Sequence, residues 1–101
     1  MFNPGTSVGV EITKVRPCVI VSHDRLHRTG AGIVVPITSN IKGLPFRYRV
    51  DPPEGGLAVS SEIMCDQVRG IDLRRLKQQV GVLTEDTMAE VETRLRTLMS
   101  L

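Results

Sequence analysis

The sequence predicts a mainly β domain with one terminal α-helix, arranged as a small β-barrel capped by that helix. Three observations carry this. The β-branched runs Pro17-Cys18-Val19-Ile20-Val21-Ser22 and Ile33-Val34-Val35-Pro36-Ile37-Thr38 have the length and composition of strands. Breaks rich in Gly and Pro, such as Asp51-Pro52-Pro53-Glu54-Gly55-Gly56, separate such runs. A single apolar stripe of helical period ends the chain. Short strands followed by one helix pack most simply as a closed sheet with a cap. At 101 residues and 41% hydrophobic content, residues 1–101 fit one domain. So small a core is marginal alone, and dimerisation would bury more apolar surface.

Taken in order, the first dozen residues, with Asn3, Pro4, Gly5, Thr6, Ser7 and Gly9, read as a loop. Pro17 to Ser22 is a buried strand. His23 to Gly30 is polar and ends in Gly, so it reads as a mobile connection. Ile33 to Thr38 is a second strand, in which Pro36 marks an edge or a bulge. Ser39 to Pro45 is another loop. Phe46 to Val50 alternates apolar residues with Arg, as a half-exposed strand does. Asp51 to Gly56 is a turn, and Leu57 to Val68 holds one long or two short strands. Asp72 is placed to cap a short helix through Leu73 and Leu76. Thr84 caps the last helix, with Glu85 and Asp86 in its first turn and Arg94 and Arg96 towards its end, as the helix dipole favours. Met88, Val91, Leu95 and Leu98 form its apolar stripe.

The net charge is +2, unevenly spread: residues 1–80 carry eleven Lys/Arg against seven Asp/Glu, and the remainder two against four. A basic body of this kind can attract a phosphate backbone, although a slightly basic globular protein has the same numbers. Cys18 and Cys65 lie in apolar runs without metal-ligand spacing and read as small buried hydrophobes. Neither a secretory leader nor a membrane-length apolar run is visible, which makes the cytoplasm the expected compartment. Phe2, Phe46 and Tyr48 are the only aromatics, too few for an extended base-stacking platform.

Four segments together resemble the MazF/PemK toxins. Gly9-Val10-Glu11-Ile12-Thr13-Lys14-Val15-Arg16-Pro17 is similar to that family's G-x-E-x-x-x-x-R-P segment, and Val35-Pro36-Ile37-Thr38-Ser39 to its V-P-x-T strand end. Leu44-Pro45-Phe46 resembles its P-F before a strand, and Asp66-Gln67-Val68-Arg69-Gly70-Ile71-Asp72 its D-Q-x-R-x-I/L-D segment. The resemblance spans residues 2–100 and implies an SH3-like barrel of the CcdB/PemK type. It also implies a type II toxin, an endoribonuclease (mRNA interferase) acting on single-stranded mRNA as a homodimer. A separate antitoxin would inhibit it, and no metal or other cofactor would be needed. One departure stands out. Family members begin with a segment of the form G-D-I-V-W-V, whereas here Met1-Phe2-Asn3-Pro4 starts at the following turn. A missing first strand would leave a bare sheet edge.

RNA can be cut without a metal because its own 2′-hydroxyl can attack the adjacent phosphorus. A base must take the 2′ proton, a cation must offset phosphorane charge, and an acid must protonate the leaving 5′ oxygen. The resemblance makes Arg16 the catalytic cation, whose planar fork can hold two phosphate oxygens. The ordinary alternative is an arginine paired with a surface carboxylate. Thr38 matches the family's catalytic threonine; the alternative is a plain strand residue. Glu11 is a candidate base or a residue orienting Arg16, and equally a solvated loop glutamate. Ser39 could add a second hydroxyl. His23 and His27 form H-D-x-x-x-H, but with no third ligand evident a metal is not expected, and His27 is assigned to stacking on bases. Arg25, Arg28 and Lys42 are candidate phosphate contacts, and Gln67 could read a base. Two other readings remain open. One is a gyrase inhibitor like CcdB, which would rely on an aromatic tail absent here. The other is a shortened, inactive paralogue that still binds RNA or antitoxin.

Overall fold

The computed structural model describes residues 7–11 and 16–101. The loop reading of Asn3 to Thr6 lies outside the described residues. The strands are β1 (Ser7–Glu11), β2 (Arg16–Ile20), β3 (Ala31–Thr38), β4 (Arg47–Val50), β5 (Ser61–Met64), β6 (Arg69–Asp72) and β7 (Leu76–Val82). Two α-helices accompany them: α1 (Asp24–His27), a single turn, and α2 (Glu85–Met99). The sheet runs β4-β5-β3-β2-β1-β7, with β6 on β3, and every described pairing is antiparallel. β4 and β7 end that path without bonding to one another, so the expected closed barrel is in fact an open sheet.

The continuous apolar runs of β2 and β3 are explained by burial on both faces. Val19, Val35 and Ile37 point into the main core with Val8, Ile63 and the α2 residues Val91 and Leu95. Cys18, Ile20 and Val34 point the other way, into a smaller cluster with Ile71 and Leu76. Both cysteines are buried, as their apolar contexts predict, and neither is part of a disulfide.

Pro36 is not on an edge, because β3 is central to the sheet. Residues Ala31–Val34 pair with β6 and Ile37–Thr38 with β5, leaving 35–36 at the handover. Val21 donates its N–H to the Ile33 carbonyl at 2.9 Å. The alternation of an antiparallel ladder therefore turns Pro36 away from β2, toward that handover. The N–H that proline lacks falls where the ladder has no rung.

Residues 7–11, read as loop, form β1 instead. They pair with β2 on one side and β7 on the other, so β1 is an interior strand. β6 and β7 had no clear signal: β7 is mostly polar and exposed (Lys77, Gln78, Gln79), and pairing with β1 makes it a strand. Leu57 to Val68 supplies only β5, followed by a 3-10 turn over Cys65–Gln67. The connection from His23 to Gly30 contains α1, capped by the His23 ring, whose Nδ1 accepts the Arg25 N–H at 3.0 Å. Asp72 caps a 3-10 turn over Leu73–Arg75, and Leu76 already belongs to β7.

α2 starts as its sequence predicts. Thr84 Oγ1 accepts the Thr87 N–H at 3.2 Å, while Thr84 N–H donates to Glu54 Oε2 at 2.9 Å. Met88, Val91 and Leu95 are buried and Leu98 is half-buried. Arg94 lies 4.9 Å from the centre of the Tyr48 ring and pairs with Glu90 at 2.7 Å, which ties the helix to β4. Replacing Thr84 by Ala is expected to cost about 1 kcal/mol. The melting temperature followed by circular dichroism should fall by about 5 °C. The turn over Glu54–Gly56 packs directly on β7: a Cβ at Gly56 would sit 2.0 Å from the Val80 carbonyl oxygen, and one at Gly81 would sit 2.4 Å from Gly55.

Candidate active site

Sheet register gathers the predicted catalytic residues. Glu11 on β1 is opposite Arg16 at the start of β2. Cys18 faces Pro36 across β2 and β3, and continuing that register by two residues brings Arg16 opposite Thr38. It is a close, non-hydrogen-bonded kind of pair, in which side chains approach each other most. Thr38 in turn faces Glu62 on β5. One transverse row of backbone positions at one end of the sheet therefore holds Glu11, Arg16, Thr38 and Glu62, the last three on a shared face. Glu11 was expected in a loop; it is the last residue of a strand, and its Cα position beside Arg16 is fixed by pairing.

Arg16 is exposed and lies between two clefts. The larger, about 470 Å³, is lined by Arg16, Thr38, Ser39, Asn40, Val59 and Ser61, among others. The smaller, about 270 Å³, lies past Pro17 and includes Arg47, Met64, Gln67 and Arg69. Among the described side chains, which do not include that of Glu11, no carboxylate pairs with Arg16, whereas Arg47, Arg49, Arg74 and Arg94 all have such partners. Thr38 Oγ1 accepts the Asn40 N–H at 3.1 Å. That bond uses a lone pair and leaves the hydroxyl hydrogen free to donate into the cleft. The arrangement can therefore offer a guanidinium and a hydroxyl donor to one anionic group.

Arg47 was hidden from sequence reading. In the alternating strand Arg47-Tyr48-Arg49-Val50 both arginines should face water. Arg49 does, at 60% side-chain exposure, but Arg47 is only 10% exposed. Arg47 Nε donates to Asp66 Oδ1 at 2.8 Å and Nη1 to Glu62 Oε1 at 3.2 Å. These bonds outweigh the effect of burial and push the guanidinium further up in pKa. Burial pushes the Glu62 carboxyl up, but the Gly43 and Lys42 amides and Arg47 outweigh it and hold it below the usual carboxylate value. Glu62 thus stabilises the fold at neutral pH, and its contribution disappears as pH falls through that lowered value. Asp66 is held down chiefly by its bond from Arg47.

The remaining candidates separate by position. Ser39 lines the larger cleft, Gln67 lines the smaller, and Lys42 sits in the exposed loop that follows Thr38. Arg25, His27 and Arg28 do not join them. They lie in and just after α1, at the opposite end of the β2–β3 hairpin, roughly 20 Å of strand away at about 3.3 Å per residue. His27 is also nearly enclosed, its side chain 9% exposed, with Nε2 2.6 Å from Ser22 Oγ. Little of the ring is left for a base to stack on. His23 and His27 do not converge, since His23 is engaged as the cap of α1. Among the described residues no three His, Cys, Asp or Glu side chains group as a metal site requires. Asn40 and Met64 line the two clefts without having shown a motif of their own, and Arg69, from the Asp66–Asp72 segment, lines the smaller one.

Comparison with known proteins follows this geometry closely. Residues 1–99 match the family described as PemK-like, MazF-like toxin of type II toxin–antitoxin systems. The chain is 34% identical over 100 residues to "Endoribonuclease MazF9" of Mycobacterium tuberculosis, covering 92% of this chain and 85% of that one. It is 32% identical to "Probable endoribonuclease MazF" of Mycolicibacterium smegmatis, with 92% and 87% covered. Among solved structures, a MazE–MazF crystal structure (Form-I) from Deinococcus radiodurans superposes with a TM-score of 0.83 at 28% identity, covering 100% of this chain and 99% of that one. MazF alone from the same organism (Form-I) gives 0.81 at 27%, with 98% and 96% covered.

Proposed function

This chain belongs to the PemK-like, MazF-like toxin family of type II toxin–antitoxin systems, and on that premise we propose that it cuts single-stranded mRNA at selected sequences without a metal. It is an endoribonuclease toxin. The observation that carries the mechanism is that Arg16 and Thr38 line one cleft, where the register of β2 and β3, continued, sets them opposite one another.

In the reaction the ribose 2′ oxygen bonds to the adjacent phosphorus and the bond from phosphorus to the 5′ oxygen breaks. Arg16 holds two non-bridging oxygens and offsets the charge that builds on the phosphorane. Thr38 donates its hydroxyl hydrogen to the same phosphate. Glu11, whose Cα is opposite Arg16, takes the 2′ proton or holds the guanidinium in place. The 5′ oxygen leaves with a proton from Arg16, a role second to charge stabilisation because that proton is held tightly, and water restores it to the guanidinium afterwards. The products are a 2′,3′-cyclic phosphate and a 5′-hydroxyl, and DNA, lacking the 2′ nucleophile, is resistant.

Ser39, Lys42 and Gln67 contact the RNA around the two clefts. Arg25 and Arg28 serve only RNA long enough to reach the far end of the hairpin. The chain acts in the cytoplasm as a homodimer and is restrained by a cognate antitoxin protein, a reading supported by the Deinococcus radiodurans structure in which MazF is found with MazE. No described helix is long and apolar enough to cross a membrane.

The test is incubation of the purified chain with one long transcript in excess EDTA, followed by sequencing of the cleavage ends. Cuts at recurrent sites with 5′-hydroxyl ends are expected; intact RNA would overturn the reading. Thr38→Val keeps the shape and removes the donor. A hydrogen bond to a charged group is worth about 1.5–3 kcal/mol, so kcat should fall about 10- to 100-fold.

A further inference from the structure

Glu62 occupies the next place after Thr38 in the row that carries the reaction, between Thr38 on β3 and Arg49 on β4. Position alone would make it a second base. Its surroundings argue otherwise. The side chain is 3% exposed, and its oxygens are already in use. Oε2 accepts the Gly43 N–H at 2.9 Å, while Oε1 accepts the Lys42 N–H at 3.4 Å and Arg47 Nη1–H at 3.2 Å. Three of the roughly four acceptor positions of this carboxylate are filled and the side chain is covered, so a substrate proton has little access to it.

What it holds is the loop from Ser39 to Phe46, every residue of which is exposed. Burial cannot fix such a segment, so its hydrogen bonds must. The two amides that Glu62 accepts are at the loop's midpoint, and its N-terminal arm carries Ser39 and Asn40 into the larger cleft. The same carboxylate orients Arg47, which grips Asp66, and Asp66 accepts the Gln67 Nε2–H at 3.3 Å. Gln67 lines the smaller cleft. A single buried charge therefore connects a wall of each cleft beside Arg16.

We propose that Glu62 is a positioning residue for RNA binding: it sets the Ser39–Phe46 loop and, through Arg47 and Asp66, Gln67, so that both clefts are shaped before RNA arrives. This rests on the RNA-cleavage reading above. Glu62→Gln keeps the shape but turns an amide NH₂ toward groups that are themselves donors. Glu62→Asp keeps the charge but stops one methylene short.

In steady-state cleavage of a short RNA, Glu62→Gln should raise KM about tenfold while kcat stays within about threefold of the parent. Glu62→Asp should fall between the two. A purely structural role would leave both constants unchanged once corrected for the folded fraction, measured by circular dichroism. A parent protein that does not cut RNA defeats the underlying reading. A cutting parent and a folded Glu62→Gln variant with unchanged KM, or with the loss in kcat, overturns the positioning role. Should Glu62→Gln fail to fold, amide exchange of the unaltered protein decides: the Gly43 N–H is expected to exchange at least tenfold more slowly than those of Ile41 and Leu44, and equal rates would overturn the proposal.

Discussion

Arg16→Ala is expected to lower kcat for RNA cleavage by at least about 100-fold, the scale seen when a donor to developing oxyanion charge is removed. Thermal stability should hardly change. Arg16 is exposed, no described carboxylate depends on it, and its strand is held by Cys18, Val19 and Ile20 below it. Arg16→Lys separates charge from shape: an ammonium supplies a positive point but not a planar fork. It should recover binding more than turnover, which single-turnover cleavage of a labelled RNA would read directly. An Arg16→Ala protein that cuts RNA as fast as its parent would remove the guanidinium from the mechanism. Stability must be measured alongside, since only a folded, inactive variant makes the argument.

Gly56→Ala carries the largest expected cost to the fold. Gly56 has φ +70°, a conformation an L side chain adopts at about 1–2 kcal/mol. Its new Cβ would also lie 2.0 Å from the Val80 carbonyl oxygen, and backbone cannot step aside as a side-chain tip does. Overpacking of this kind adds typically about 1–3 kcal/mol. The sum is about 2–5 kcal/mol, a fall in melting temperature of at least about 8 °C. Gly43→Ala is the control. Its φ of +65° is similar, but nothing lies within 4 Å of the added Cβ. It should lose only the conformational share, so the difference between the two midpoints isolates the contact between the turn and β7. Equal midpoints would mean that β7 yields to the turn.

Strands buried on both faces and the terminal helix were legible in the sequence because local pattern determines them. Val19 and Ile20, or Met88 and Val91, have one environment available to them, and the Thr84 cap lies next to what it caps. β1 and β7 were not legible, since Ser7-Val8-Gly9 becomes a strand through pairing with β2 and β7, and Lys77-Gln78-Gln79 through pairing with β1. The same distinction governs the site. Arg16 and Thr38 came from motif resemblance, and the sheet then set them in register. Arg47 looked like a solvated residue because Glu62 and Asp66, which bury its charge, are 15 and 19 residues away. Arg25, His27 and Arg28 were grouped with Lys42 because both loops flank β3, and sequence does not say that a strand's two ends face opposite ways.

The two strands carrying Arg16 and Thr38 are packed on both faces, and this has a bearing on how substrate is met. Local opening is rarest in such elements. The backbone positions of Arg16 and Thr38 are therefore set before any ligand arrives. On the proposed mechanism, an incoming phosphate spends no binding energy on bringing those strands together. Any ordering cost falls on the exposed loop beyond Thr38, so adaptation to different RNA sequences is confined to that loop while the chemistry beside it stays constant.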